Sequence, residues 1–299
     1  MNTREQGFLL LTGYFGDKAR KPLTIAQFRK VAALARTMAR PTQQRELMPT
    51  DLMALGCEPK LAENVVYLLS HEKQLNWYLN KGSVSGCRPI TRISESYPAR
   101  LRGALQLDAP GALWVKGDES LLGQKSISVV GSRDLREDNT IFAKEVGKQA
   151  AYQGYVLVSG NARGADRTAQ ESCLSHGGKV ICVVADSLEN QPTRENVLYI
   201  SEEGFDLPFS SQRALYRNRI IHSFSELTFV VQCHRGKGGT WSGTRNNLLH
   251  GLSRIAVYDD GTEACQDLIC SGAVSATTEN LQNFNAFIED KPAVQQSLF

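Results

Sequence analysis

No apolar run in this sequence approaches the roughly 18 residues that a membrane-crossing helix needs. The N-terminal stretch MNTREQGFLLLTGYFGDKAR has one short apolar patch and no small-residue cleavage site, so it does not read as a signal peptide. These two absences exclude a membrane protein, disfavour a secreted one and lead us to expect a cytoplasmic chain. Cysteine pairing is missing as well. The seven cysteines are odd in number, none forms a CxxC pair, and Cys182 and Cys233 sit inside apolar runs. They read as buried, reduced thiols in a reducing compartment. The five histidines are scattered without ligand spacing to a cysteine, so no metal site is expected. Neither a GxGxxG nor a Walker A sequence is present, which removes the main support for NAD or ATP, and no cofactor is expected.

Charge of one sign is scarce overall, with a formal net charge of only +3. Its distribution is uneven. Residues 1–85 hold 12 Lys and Arg against 7 Asp and Glu, whereas residues 86–275 hold 21 of each. Inside that neutral middle, residues 211–254 carry seven bases against the single acid Glu226. Such a local cluster focuses anions without a basic domain, although a solvated face also accounts for it.

What is present divides the chain. At about 150 residues per domain, 299 residues imply two domains, and 41% hydrophobic residues are enough for a sizeable core. Residues 1–85 read as a small helical domain. Thr24 caps a helix whose stripe is Ile25, Phe28, Ala32, Ala35 and Ala39. Gly56 ends a short helix and Pro59 starts the next, with Leu61, Val65, Leu68 and Leu69 as its apolar stripe. Gly82 is expected to close the segment, which is loosely similar to a SAM or helix-hairpin-helix unit.

From about residue 110 the rhythm changes to ALWVKG (112–117), SISVVG (126–131), YVLVSG (155–160), KVICVVAD (179–186), LTFVVQC (227–233) and RIAVYDD (254–260). Continuous apolar runs separated by helix-length stretches mean strands buried on both faces. That predicts an α/β domain with a doubly wound, mostly parallel, Rossmann-like sheet over 86–275. Residues 276–299 are polar and are expected to be a loosely held tail.

Three strand ends combine glycine, a hydroxyl and a base: Gly131-Ser132-Arg133, the SGNARGAD stretch from Ser159 to Asp166, and RGKGGT from Arg235 to Thr240. Glycine allows close backbone approach, and free N–H groups at the following helix face an anion. Arg and Lys then add charge. One such turn is often only a turn; three in one sheet point to an extended polyanion or a nucleotide. Arg217 and Arg219 open a further predicted helix. Being two apart they cannot share a face, so one is free to reach a ligand while the other pairs with an acid such as Asp166. Trp241 and Tyr216 are base-stacking candidates beside these turns, with core packing as the alternative. No histidine stands beside Ser159 as an evident base, and no catalytic residue is identified.

In this order and spacing, SISVVGSR, SGNARGAD, YRNRII and GKGGT, preceded by Tyr97-Pro98-x-x-Leu101, resemble the DNA-processing protein A (DprA/Smf) family over about residues 95–260. The resemblance implies an extended Rossmann-like domain that binds single-stranded DNA without catalysis. The resemblance also implies a role in recombination, DNA uptake or defence against foreign DNA, and, as is common in the family, a homodimer that helps load a RecA-type recombinase. Carried over by position, the phosphate-contacting set is Gly131, Ser132, Arg133, Ser159, Gly160, Arg163, Gly164, Arg217, Arg219, Lys237, Gly239 and Thr240. The winged-helix domain of many members is not found in 276–299. GKGGT is also similar to the loop of phosphoribohydrolase (LOG) relatives, which keeps open a nucleotide-binding sensor or hydrolase. No carboxylate follows Thr240 closely, which disfavours hydrolysis. A third reading is a scaffold with a vestigial pocket. The end of the chain, Gln295-Gln296-Ser297-Leu298-Phe299, resembles a sliding-clamp-binding pentapeptide in which Leu298 and Phe299 fill an apolar pocket and Gln295 bonds at its rim. A tail folded onto its own domain is the alternative.

Overall fold

A computed structural model describes residues 1–17, 19–38 and 45–289. Five helices come first: α1 (Thr3–Thr12), α2 (Ile25–Arg36), α3 (Pro49–Ala54), α4 (Pro59–Leu69) and α5 (Glu72–Val84). Their starts follow from local chemistry. Asn2 with Glu5, and Thr24 with Gln27, form capping boxes on α1 and α2. Pro59 is the first residue of α4, where its missing N–H costs nothing. Leu23, Val31, Leu52, Leu61, Val65 and Leu68 make a small core of their own.

The stripe on α2 differs from the expected one. Ile25 and Val31 are buried and Phe28 packs beside them, while Ala35 is exposed. The larger side chains offer more area to remove from water, so the helix rolls toward them. Ala39 lies outside the described residues. Gly82 does not close the segment either. It lies inside α5, where a Cβ would stand 3.0 Å from the Cys87 carbonyl and 3.1 Å from the Phe205 ring. The next left-handed turn is made by Gly86, at φ +71.

The helical segment is not independent of the sheet. Leu9, Leu10, Leu75 and Tyr78 of α1 and α5 belong to the main core. The Tyr78 ring sits 4.6 Å from Phe205 and 5.1 Å from Trp114. Its hydroxyl donates to Asp206 Oδ1 at 2.7 Å, and Lys81 pairs with Asp206 at 2.7 Å.

Among the described residues the strands number nine: β1 (Arg88–Thr91), β2 (Ala112–Gly117), β3 (Ser126–Val130), β4 (Val156–Ser159), β5 (Lys179–Val183), β6 (Val197–Ser201), β7 (Leu227–Val230), β8 (Arg254–Tyr258) and β9 (Val274–Ala276). They form one sheet in the order β1-β2-β6-β5-β4-β3-β7-β8-β9. β6 through β9 in that order are parallel; β1 and β2 pair antiparallel at one end. All six expected runs are strands, and three more were not anticipated. β6 (VLYIS) is buried throughout and carries the same apolar signal as the others. β1 contains Pro89, tolerable because it is an edge strand, and β9 has only three residues.

Side chains alternate between two cores. One face meets α7 (Glu137–Tyr152) and α8 (Ala165–Ser175) through residues such as Ile127, Val129, Phe142 and Ala169. The other meets α6 (Ala99–Leu105), α9 (Ser211–Phe224), α10 (Gly238–His250) and α11 (Glu263–Cys270) through Leu101, Val130, Ile220 and Leu268. The YPxxL motif is structural. Tyr97 is buried and donates to the Pro110 carbonyl at 3.0 Å, and Leu101 is in the core. Six cysteines are buried free thiols and Cys270 is exposed; burial pushes the Cys182 thiol up to about 12. Among the described residues no helix is long and apolar enough to cross a membrane.

The expectation of a loose tail over 276–299 is corrected for its described part, residues 276–289. Ala276 ends β9, and the chain then turns into α12 (Phe284–Glu289). Leu281, Phe284 and Phe287 recur every third residue and are buried, with Phe284 at 5.0 Å from Phe229 and 5.6 Å from Tyr155. Gln153 fixes the turn from both sides, accepting from Phe284 N and donating to the Leu281 carbonyl, each at 2.8 Å. Three apolar residues on one face outweigh the polar remainder. Gln295, Leu298 and Phe299 lie outside the described residues. Phe284→Ala is expected to cost about 3–5 kcal/mol by leaving a cavity; a urea midpoint equal to that of the parent protein would show that this segment is not part of the cooperative fold.

Candidate anion-binding groove

From β3 the chain steps outward through β4 and β5 to β6, then returns so that β7 lies on the other flank of β3. The gap between β3 and β7 is thus a topological switch point, where open α/β sheets leave a crevice at the carboxyl ends. A cavity of about 380 Å³ opens there, walled by Ser132, Arg133, Asp166, Arg217 and the start of α10. A second, of about 300 Å³, lies over the ends of β4 and β5, between Arg163, Asp186 and Phe209. The two share Arg133, Ala162 and Arg217, so the three turns line one continuous groove.

The glycines of the first two turns serve the fold more directly than a ligand. A methyl at Gly131 would strike Ala165, and one at Gly160 would fall on the Arg217 guanidinium. Gly164 has φ +82, and a methyl there would strike the Ser132 and Arg133 carbonyls. The third turn is different: Gly236 and Gly238 have φ of +68 and +80 with open space around them, so backbone conformation is what selects glycine there.

The backbone amides divide in the same way. The Asp166 carboxylate, expected to pair with an arginine, accepts from Gly160 N and Ala162 N, both at 3.1 Å. Ser132 N donates to the Gln232 carbonyl at 2.9 Å and Ala165 N to the Ser132 carbonyl at 3.1 Å. These N–H groups are therefore occupied, which corrects the expectation that every turn presents its amides to an anion. The start of α10 is the exception. Its capping residue, Lys237, makes no side-chain cap, and Gly238, Gly239 and Thr240 line the groove. That is where unpaired N–H groups and the positive end of a helix dipole face the cavity. Thr240 ties the turn to the first by donating to the Gly131 carbonyl at 2.9 Å.

Arg217 lies in the middle of α9, not at its start. Only 9% exposed, it donates from Nη1 to the Val183 carbonyl at 2.8 Å, and among the described residues its Nε has no hydrogen-bond partner. Burial lowers the Arg217 pKa while Asp166 opposes the shift; burial likewise raises Asp166, opposed by Arg217 and the two amides. An arginine remains charged under such a shift, so the groove wall holds a fixed positive charge. Arg219 points elsewhere. Two residues on a helix turn about 200°, and Arg219 pairs with Glu202, donates to the Asp108 carbonyl at 3.0 Å and lies 4.1 Å over the Tyr216 ring.

Of the remaining sequence candidates, Arg133 and Lys237 are exposed on the groove and make no ion pair or side-chain hydrogen bond among the described residues. Arg163 is on the rim in an exposed ion pair with Asp134 at 2.5 Å. Ser159 is fully buried and bonded by Gln170, so it is out of reach of a ligand. Trp241 packs half-buried against the core cluster under α10 and does not line the groove. Sequence reasoning missed Phe209, 54% exposed in the second cavity, and Asn218, whose side chain donates to the Gly239 carbonyl at 3.2 Å. An aromatic ring beside Pro208 and two serines, in the loop ahead of the predicted helix, was the available signal for Phe209.

The model of the DNA recombination-mediator protein A family matches residues 88–287. Protein Smf of Escherichia coli is 30% identical over 223 residues, covering 68% of this chain and 59% of the relative. The DNA processing protein DprA of Streptococcus pneumoniae is 39% identical over 187 residues, 57% of this chain and 65% of the relative. The alignments thus span about half to two thirds of the curated relatives' length. In fold, the chain is similar to the X-ray structure of the S. pneumoniae DprA, with TM-score 0.70 at 23% identity over 93% of this chain and 96% of that one. It is also similar to the DprA of Helicobacter pylori, with TM-score 0.57 at 23% identity over 69% and 97%, in a structure described for that protein's single-stranded DNA binding mode.

Because Gly160 leaves the space that Arg217 fills, Gly160→Ala is expected to expel the guanidinium and destabilise the protein by about 2 kcal/mol or more. Gly103→Ala on α6, where an added methyl meets nothing within 4 Å, is the control and should leave thermal denaturation unchanged or slightly raised. Equal melting of the two variants would refute the close seating of Arg217.

Proposed function

This chain belongs to the DNA recombination-mediator protein A family, and on that premise we propose that it binds single-stranded DNA in the groove along β5, β4, β3 and β7. The observation that carries the reading is the joining of three strand-end turns into one open channel with Arg133, Arg217 and Lys237 along it. A closed pocket suits a mononucleotide; an open trough with spaced cations suits a run of phosphates. The single-stranded DNA binding described for the H. pylori DprA supports the same reading.

In this mechanism the DNA backbone is gripped and no bond is broken. Arg133 and Lys237 contact successive phosphates as exposed charges. Gly238, Gly239 and Thr240 offer backbone N–H groups to one phosphate at the start of α10. Arg217 supplies a charge that cannot swing away, because Val183 and Gly160 hold its guanidinium. Phe209 stands beside this line as a platform for one base. The protein acts by binding, in the cytoplasm, where six buried free thiols are stable. Delivery of the strand to a RecA-type recombinase, assembly as a homodimer, and recruitment of a sliding clamp through Gln295, Leu298 and Phe299 belong to the same proposal. The family's description as a recombination mediator supports the first of these.

Titration of a fluorescent oligonucleotide should give an affinity that falls linearly in log[salt]. Arg133→Ala and Lys237→Ala should each weaken binding across unrelated sequences and reduce that slope by about 0.7. Full competition by a mononucleotide, with little salt dependence, would replace this reading with the nucleotide-binding one.

A further inference from the structure

The groove uses none of the positive charge in the helical segment, although residues 1–85 carry more bases than acids. Part of that excess has a definite place. On α2, Arg29, Lys30 and Arg36 are exposed and the helix has no acidic residue. α2 packs against the turn at residues 106–108. Beside that turn is Arg92, 7% exposed, which donates to the Ala109 carbonyl at 3.1 Å. Arg102 on α6 donates to the Arg92 carbonyl at 3.4 Å. Among the described residues none of Arg29, Arg92 and Arg102 makes an ion pair. Burial lowers the Arg92 pKa, Tyr97 opposes the shift, and the like charges of Arg29 and Arg102 add to the lowering. Bringing three guanidinium groups together with no counter-charge is costly unless an anion joins them.

Topology puts this cluster on the groove's own edge. β1 is antiparallel to β2, and β2 is antiparallel to β6, so β1 runs in the same direction as β6, β5, β4 and β3. Arg92 follows β1 directly and so lies on the carboxyl edge where the groove opens. From β5 to β1 is three strand spacings, about 14 Å. Glu202 and Glu203, at the end of β6, are neutralised by Arg219 and by Arg213 at 3.0 Å. Tyr14 and Tyr216, each about half exposed, flank a cavity of about 190 Å³ there.

We propose that a single strand held in the groove continues along this edge, past Tyr216 and Tyr14, to a second phosphate-contacting cluster formed by Arg29, Arg92 and Arg102. The proposal rests on the groove reading and extends the bound length of DNA beyond the four central strands. The two tyrosine rings supply sequence-tolerant faces over this interval, and the three arginines grip the strand where it reaches the helices.

The test compares two oligonucleotides, one of about 5 nucleotides that fills only the groove and one of about 20 that reaches the helices. Arg29→Gln combined with Arg102→Gln changes two exposed side chains and leaves the buried Arg92 in place. In this variant the ratio of long-strand to short-strand affinity is expected to fall about tenfold, and the salt slope of the long strand to shrink by about 1.4. An unchanged ratio with an unchanged slope would overturn the second cluster and leave the groove standing. Failure of both lengths to bind the unsubstituted protein would overturn the groove reading, and this extension with it.

Discussion

One close contact organises the carboxyl edge of the sheet: the Arg217 guanidinium lies against the bare Cα of Gly160. This contact determines what can stand nearby. The β4 turn must carry glycine, the turn must then fold back on itself, and Asp166 closes it by accepting two of its amides. Asp166 and Arg217 oppose each other's desolvation without ion-pair contact among the described residues. A buried charge lacking a bonded counter-ion is ordinarily expelled from a fold. Here the Val183 carbonyl accepts from the guanidinium, Asp166 opposes its desolvation, and the charge lines the groove.

Much of the architecture could be read directly from the sequence. Six continuous apolar runs became six strands, because a strand covered on both faces has no polar face to show. The helix starts at Thr24 and Pro59 were equally visible, since capping is local chemistry. Legibility ended where structure is decided at a distance. Gly82 looks like a helix terminator and is in fact the point where Cys87, Phe205 and Trp114 crowd α5. Leu281, Phe284 and Phe287 are three apolar residues in a polar stretch, and only the presence of Phe229 and Tyr155 opposite makes them a core.

The groove was legible in outline and not in assignment. The three turns do converge, yet in the first two several amides are already bonded within the fold, whereas Gly238, Gly239 and Thr240 bring the start of a helix to the groove. Ser159, chosen by motif position, is buried; Trp241, a stacking candidate for its place beside a glycine-rich turn, takes the alternative of packing against the core; and Arg219 is carried to the far side of α9 by the helical rotation. Phe209 belongs to no motif and lines the groove through the path of its loop. Residue type and spacing identify an edge of the sheet; which side chains reach solvent on that edge depends on packing beneath it.

The Tyr78 and Lys81 bonds to Asp206 join α5 to the loop that leads into α9, and α9 carries Arg217. The first helices and the crevice are thus parts of one mechanical chain, linked through that short loop. Free-energy changes from substitutions in the two regions will not sum as if the sites were separate. A variant chosen to loosen the leading helices will also alter how firmly the crevice keeps its shape.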